Sequence, residues 1–113
     1  MLKKKKQAAG VTVKLTVEQI IEAMALGILF ETNVPEDYTL AKAKMEIRSG
    51  KLSTASLDDL FRADSLDLVE IITVMENELN FSSLGCWDRM LNPSTSRPLR
   101  EVAEEMAEVA NKA

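Results

Sequence analysis

Residues 55–79 read ASLDDLFRADSLDLVEIITVMENEL, and this stretch decides how the rest of the chain is interpreted. Asp64 is a suitable helix N-cap, which makes Ser65 the first helical residue, and Asn80 is a suitable terminator. The spacing predicts a helix whose apolar stripe consists of Leu66, Val69, Ile72 and Leu79, with Val74 and Met75 on its flank. The acidic residues expected to face solvent are Asp67, Glu70, Glu76 and Glu78.

Ser65 lies at the start of this helix, where its side chain is expected to point outward. A hydroxyl at the first helical position lies near backbone amides that have no helical partner, so a phosphodiester attached to it would be stabilised. Asp64, Asp67 and Glu70 are three residues apart and are expected to lie on one face beside it. Taken alone, the tetrapeptide Asp64-Ser65-Leu66-Asp67 is more typical of an ordinary solvated first turn than of a modification site.

Helices are also predicted on both sides of this stretch. Thr16 and Gln19 have the spacing of a capping box, and a helix is expected from Val17 to Phe30, ending at the Asn33-Val34-Pro35 break. A further short helix is expected over residues 38–48, within a long connection.

Downstream of Asn80, Ser82 or Ser83 is expected to cap a short helix that ends at Asn92-Pro93. Its inward side is predicted to hold Leu84, Trp87, Met90 and Leu91. The last helix should follow Ser96, with Pro98 in its first turn. Its apolar face comprises Leu99, Val102, Ala103, Met106, Val109 and Ala110. No segment alternates as a strand would, so the fold class is all-α.

Composition excludes most self-contained chemistry. The chain of 113 residues has no histidine, so it lacks the commonest general base and metal ligand, and Cys86 is its one cysteine. We therefore expect neither an enzyme nor a metal site. A lone thiol suits a reducing compartment, which predicts a cytoplasmic location.

Charge points to the kind of partner. Four of the 14 basic residues are the lysines at positions 3–6. The rest of the chain contains 10 basic and 18 acidic residues. This acidic body disfavours nucleic acid and favours basic protein surfaces. Residues 1–12 are expected to be a flexible basic leader, and with no long apolar run beside it we expect no membrane insertion.

From Ser56 to Leu79 the sequence resembles, without a gap, the signature of the acyl carrier proteins, in which an acidic approach segment leads to Asp-Ser-Leu at a helix start. The resemblance extends more weakly over residues 16–113. It implies an acyl-carrier domain over residues 13–113, a four-helix bundle of three longer helices and one short one, and a monomer.

The resemblance also implies a function. Ser65 would carry a covalent 4'-phosphopantetheine arm, attached from coenzyme A by a phosphopantetheinyl transferase, that holds acyl groups as thioesters. The surface read by this transferase and by acyl-transferring and ketosynthase-type enzymes with basic docking surfaces would comprise Asp64, Leu66, Asp67 and Glu70, with Arg62 beside them. The acyl cleft would be lined by Val69, Ile72, Ile28 and Met106.

The sequence departs from the family at several places. Arg62 stands where the family usually has glycine, Thr73 and Asn77 are unusual on the second helix, and the connection is lengthened within residues 35–54. Within the fatty-acid, polyketide and lipid pathways that such carriers serve, these departures indicate a specialised carrier, for polyketide, modified-lipid or other secondary pathways, in place of the housekeeping carrier of fatty-acid synthesis. Two alternatives stay open: an aminoacyl or peptidyl carrier, and a helical interaction module that keeps the carrier shape without modification.

Overall fold

The fold is a bundle of α-helices, each begun by a recognisable local signal. The computed structural model describes residues 14–112, so the predicted leader at residues 1–12 lies outside the described residues. Five α-helices are present there: α1 (Val17–Glu31), α2 (Leu40–Arg48), α3 (Thr54–Asp59), α4 (Ser65–Leu79) and α5 (Leu99–Lys112). Residues 14–112 contain no β-strand, which confirms the all-α prediction, and no helix among them is long and apolar enough to cross a membrane.

Helices α1 and α4 form the centre of the bundle, and each begins at its predicted cap. The Thr16 hydroxyl accepts the Gln19 N–H at 3.1 Å, and the Gln19 side chain accepts the Thr16 N–H at 2.9 Å. The two helices approach closely at Gly27, where an added Cβ would lie 2.9 Å from Cγ2 of Ile71. Glycine is therefore required here by the proximity of the neighbouring helix.

The predicted apolar stripe of α4 is confirmed at Ile72 and Leu79 and was wrong at Leu66 and Val69. The inward residues are Ile71, Ile72 and Met75, whereas Leu66 is 63% and Val69 is 49% exposed. Residues 68, 71, 72, 75 and 79 follow the i, i+3, i+4 spacing of one helix face, and that face packs on α1. Leu66 and Val69 lie one turn apart on a different face.

The connection between α1 and α4 contains two helices, of which one was predicted. Helix α2 begins after the cap Thr39, two residues later than expected, and it packs against α1 and α5 through Ala43 and Ile47. Helix α3 was not predicted. It begins with a reciprocal Ser53–Ser56 capping box, and backbone bonds such as Thr54 N–H to Arg97 O (2.7 Å) tie it to the segment before α5.

The predicted short helix after α4 is replaced by two 3-10 segments, Trp87–Leu91 and Pro93–Thr95. Neither Ser82 nor Ser83 caps it, because the Ser83 hydroxyl and N–H both donate to the Glu76 carboxylate, at 2.6 and 2.7 Å. Glu76 is therefore a structural acceptor and not a fully solvated side chain. Leu84 is 88% exposed, so its predicted inward position was also wrong.

Trp87 anchors this part of the bundle. It is fully buried against Phe81, with ring centroids 5.1 Å apart, and its Nε1 has no hydrogen-bond partner in the described chain. The last helix begins at Leu99, so Pro98 lies just before it and not in its first turn as predicted. The predicted apolar face of α5 is confirmed at Leu99, Val102 and Met106.

Candidate functional site

Ser65 is the first residue of α4, and its side chain is exposed. The Asp64 carboxylate before it accepts the Asp67 N–H at 2.8 Å, and the Asp67 carboxylate accepts the Asp64 N–H at 3.0 Å. This reciprocal pair fixes the start of the helix, so the Ser65 hydroxyl is presented to solvent from a rigid position. The predicted roles of Asp64 as N-cap and Ser65 as first helical residue are confirmed.

The backbone around Ser65 suits an attached phosphate group. Among residues 14–112, the N–H groups of Ser65 and Leu66 have no acceptor, as expected for the first turn of a helix. These donors and the positive end of the helix dipole stabilise negative charge near the Ser65 oxygen. The 15-residue length of α4 and its capping box hold these groups in place.

Acidic side chains surround this position. We call Asp58, Asp59, Asp64, Asp67 and Glu70 the junction patch, because they lie at the end of α3 and the start of α4. None of them forms an ion pair with a basic side chain in the part of the chain that the structure describes. The negative charge of the junction patch is therefore available to a basic partner.

Ion pairs occur elsewhere on the bundle. On the α1–α2 face, Arg48 binds the Glu18 carboxylate with its Nε and Nη2, and Lys44 binds Glu22. The hydrogen bond from Arg48 lowers the pKa of Glu18. Arg97 bridges Glu101 and Glu105 on α5. Acidic residues on those faces are thus partly neutralised, in contrast with the junction patch.

Apolar side chains also stand exposed at the junction. Leu66 and Val69 lie beside Ser65 on α4, and Leu60, the C-cap of α3, is 63% exposed. Exposed aliphatic residues bordered by carboxylates provide both contact area and charge complementarity for a partner.

Arg62 adopts a backbone conformation that favours glycine. Its φ is +56°, and the turn is fixed by the Arg62 N–H bonding Asp58 O at 3.2 Å and the Ala63 N–H bonding Leu57 O at 2.8 Å. The carrier resemblance places glycine at this position, and the left-handed turn gives the physical reason. The Arg62 side chain is exposed and forms no ion pair with residues 14–112.

The predicted cleft residues are divided between two environments. Ile28, Ile72 and Met106 are at most 3% exposed and belong to the core, whereas Val69 lies on the surface. The structure brings the first three together and leaves Val69 apart, because the register of α4 turns that residue outward. Within residues 14–112, no three His, Cys, Asp or Glu side chains are grouped as a metal site requires.

Comparison of the chain with protein-family models, with curated proteins and with solved structures gave no match.

Proposed function

We propose that this protein is an acyl carrier, in which Ser65 holds a 4'-phosphopantetheine arm and acyl intermediates travel as thioesters on its thiol. The observation that carries the proposal is the exposed Ser65 hydroxyl at the first position of a long, capped helix. A serine there is accessible to a modifying enzyme, and the free N–H groups of the first turn stabilise the resulting phosphodiester.

The surroundings support the same role. The junction patch is acidic and unpaired among the described residues, so basic enzymes are attracted to the side of the molecule that carries Ser65. Exposed Leu66 and Val69 add apolar contact next to the attachment point. Association through rim charges is fast and reversible, which suits a protein that visits several enzymes in turn.

A carrier also needs little chemistry of its own. The chain has no histidine, so the base that accepts the Ser65 proton during attachment would belong to the transferase. Tethering then raises the effective concentration of the intermediate at each docked enzyme. The partners in this proposal are a phosphopantetheinyl transferase and the acyl-transferring or ketosynthase-type enzymes of one lipid or polyketide pathway.

Mass spectrometry tests the proposal directly. The purified chain is incubated with coenzyme A and a broad-range phosphopantetheinyl transferase, and the expected result is a mass gain of one phosphopantetheine. Ser65→Ala should abolish the gain, whereas Ser82→Ala, which changes another exposed serine away from the junction, should leave it unchanged. No gain in the wild type, or a gain that persists in Ser65→Ala, would support an unmodified interaction module instead.

A further inference from the structure

The inserted connection between α1 and α4 forms a surface pocket of about 220 Å³. Its apolar walls come from Tyr38 and Leu52 of the connection and from Leu60 and Phe61 at the end of α3, with Pro35 at one side. Tyr38 and Phe61 pack on each other with ring centroids 5.6 Å apart. Two polar side chains, Lys42 and Glu46, complete the lining.

The position of this pocket relative to Ser65 distinguishes it from the other concavities described on the surface. Phe61 and Ser65 are four residues apart, so their Cα atoms are separated by at most about 14 Å. A concavity of about 400 Å³ is lined by Leu79 and Asn80 at the far end of α4. Since a 15-residue helix is about 22 Å long, that site lies a full helix length from Ser65.

Chemistry separates the pocket from a third concavity near α3. That one is lined by Asp58, Asp59, Asn92 and Ser94 together with Ala55 and Pro93, so two carboxylates border it and a smaller share of its lining is apolar. Of these three concavities, the pocket lined by Tyr38, Leu52, Leu60 and Phe61, which we call the α2–α3 pocket, is the one that combines apolar walls with proximity to Ser65. Its volume lies between an engineered cavity of about 150 Å³ that takes up benzene and the roughly 300 Å³ at which drug-sized sites begin. It is large enough for a short aliphatic chain.

The polar groups of the pocket favour an acyl chain over an aminoacyl group. The Tyr38 hydroxyl donates to the Glu46 carboxylate at 2.6 Å, and Lys51 lies 3.8 Å from the other Glu46 oxygen, so this charge is already engaged. Burial of the phenol and the neighbouring carboxylate raise the pKa of Tyr38, which keeps the hydroxyl protonated as a donor. Lys42 has its ammonium 5.5 Å from the Tyr38 ring centroid and forms no ion pair with residues 14–112, so it opposes entry of a second cation.

We propose that the pocket between α2 and α3 receives the short acyl chain carried on the Ser65 arm, in place of a cleft within the helical core. This inference rests on the proposed carrier function. It assigns a role to the inserted connection, because α2 and the turn before it supply Tyr38 and Lys42.

The two aromatic residues that occur once in the chain allow a direct test. Tyr38 lines the pocket, and Trp87 is buried in the core beside Phe81, so each reports on a different site. The protein is loaded by transferase either with phosphopantetheine from coenzyme A or with hexanoyl-phosphopantetheine from hexanoyl-coenzyme A. Loading is verified by mass, and the Tyr38 ring signals and the Trp87 indole N–H signal are compared by NMR. The hexanoyl group should shift the Tyr38 signals and leave the Trp87 signal in place.

A matched pair of variants completes the test. Leu60→Ser removes an exposed wall of the pocket and should lower the ratio of docked to undocked chain about fivefold, judged by the decrease of the Tyr38 shift. Leu84→Ser, which changes an exposed leucine elsewhere, should leave the shift unchanged. If loaded protein shows a shift at Trp87 alone, no shift at either residue, or a Tyr38 shift that is as large in Leu60→Ser as in Leu84→Ser, the pocket assignment is overturned while the carrier function stands. Failure to load at all would overturn the carrier function itself.

Discussion

Replacing Arg62 by glycine should stabilise the protein, although the substitution removes a whole side chain. Arg62 has φ of +56°, and this left-handed conformation costs a residue with a Cβ about 1–2 kcal/mol. Glycine removes that cost but adds about 0.4–1 kcal/mol of unfolded-chain entropy to be lost on folding. The exposed guanidinium has no ion pair to lose among residues 14–112. From the midpoints of these ranges the net gain in unfolding free energy is about 0.8 kcal/mol, with limits of about 0 and 1.6 kcal/mol. The midpoint corresponds to about 3–6 °C in Tm for a domain of this size.

Arg62→Ala is the control, because it removes the same charge but keeps the Cβ. Both variants and the wild type are unfolded by heat and by urea, with helical circular dichroism as the signal. The expected order of stability is Arg62→Gly first, with Arg62→Ala close to the wild type. The two variants should also be modified at Ser65 at equal rates, since both lack the charge. A glycine variant no more stable than the alanine variant would show that the turn imposes no strain at this position.

The junction patch, the contact between α1 and α4 and the Tyr38–Glu46 hydrogen bond each lead to a further prediction. Glu70→Lys should slow phosphopantetheine transfer severalfold, because it weakens the attraction to a basic transferase. Glu78→Lys makes the same charge change at the far end of α4 and should leave the transfer rate unchanged. Added salt should reduce the difference between the two variants, and equal transfer rates would exclude the junction patch as the docking surface. Gly27→Ala should lower the free energy of unfolding, measured by urea titration, by about 1–3 kcal/mol, because the added Cβ would lie 2.9 Å from a side-chain carbon of α4. A gain in stability would show that α1 and α4 can move apart without loss of stability. Tyr38 has a raised pKa in the folded protein, so its contribution is complete below its ordinary pKa of about 10 and is lost as pH rises above that value. Tyr38→Phe should lower the free energy of unfolding by about 1–3 kcal/mol near neutral pH, because it leaves a Glu46 oxygen unpaired. Above about pH 10 the stability of the variant should fall less steeply than that of the wild type. Identical alkaline stability profiles would contradict the Tyr38–Glu46 hydrogen bond.

Helix starts were the most predictable part of the fold, because a cap is a contact between residues three positions apart. The Thr16–Gln19 box and the Asp64 cap are visible in the sequence and occur in the structure at the same residues. Helix α3 was not predicted, because its local signals are less easily recognised than those of α1 and α4. Its six residues are too few to show an apolar period, and its cap pairs two serines in place of the usual serine with glutamate or glutamine.

The candidate site was predictable where it depends on the helix start and unpredictable where it depends on packing. The positions of Ser65 and its acidic neighbours could be predicted, because Asp64 is recognisable in the sequence as the N-cap of the helix. Val69 was misplaced because residues 66, 69 and 72 form as regular a stripe as residues 68, 72 and 75, and local spacing cannot choose between the two. The choice is made by α1, which brings Gly27 against Ile71 and thereby turns Val69 to the surface.

The sequence by itself determined that the chain is helical, where α1 and α4 begin, and that a serine stands exposed at the first position of α4. These properties depend on contacts within a few residues of each other. Tertiary structure alone decided which face of α4 is buried, and that Tyr38, Leu52 and Phe61 enclose a pocket. Each of those features requires segments far apart in the chain to meet, and the free energy that brings them together comes from burying the whole core at once.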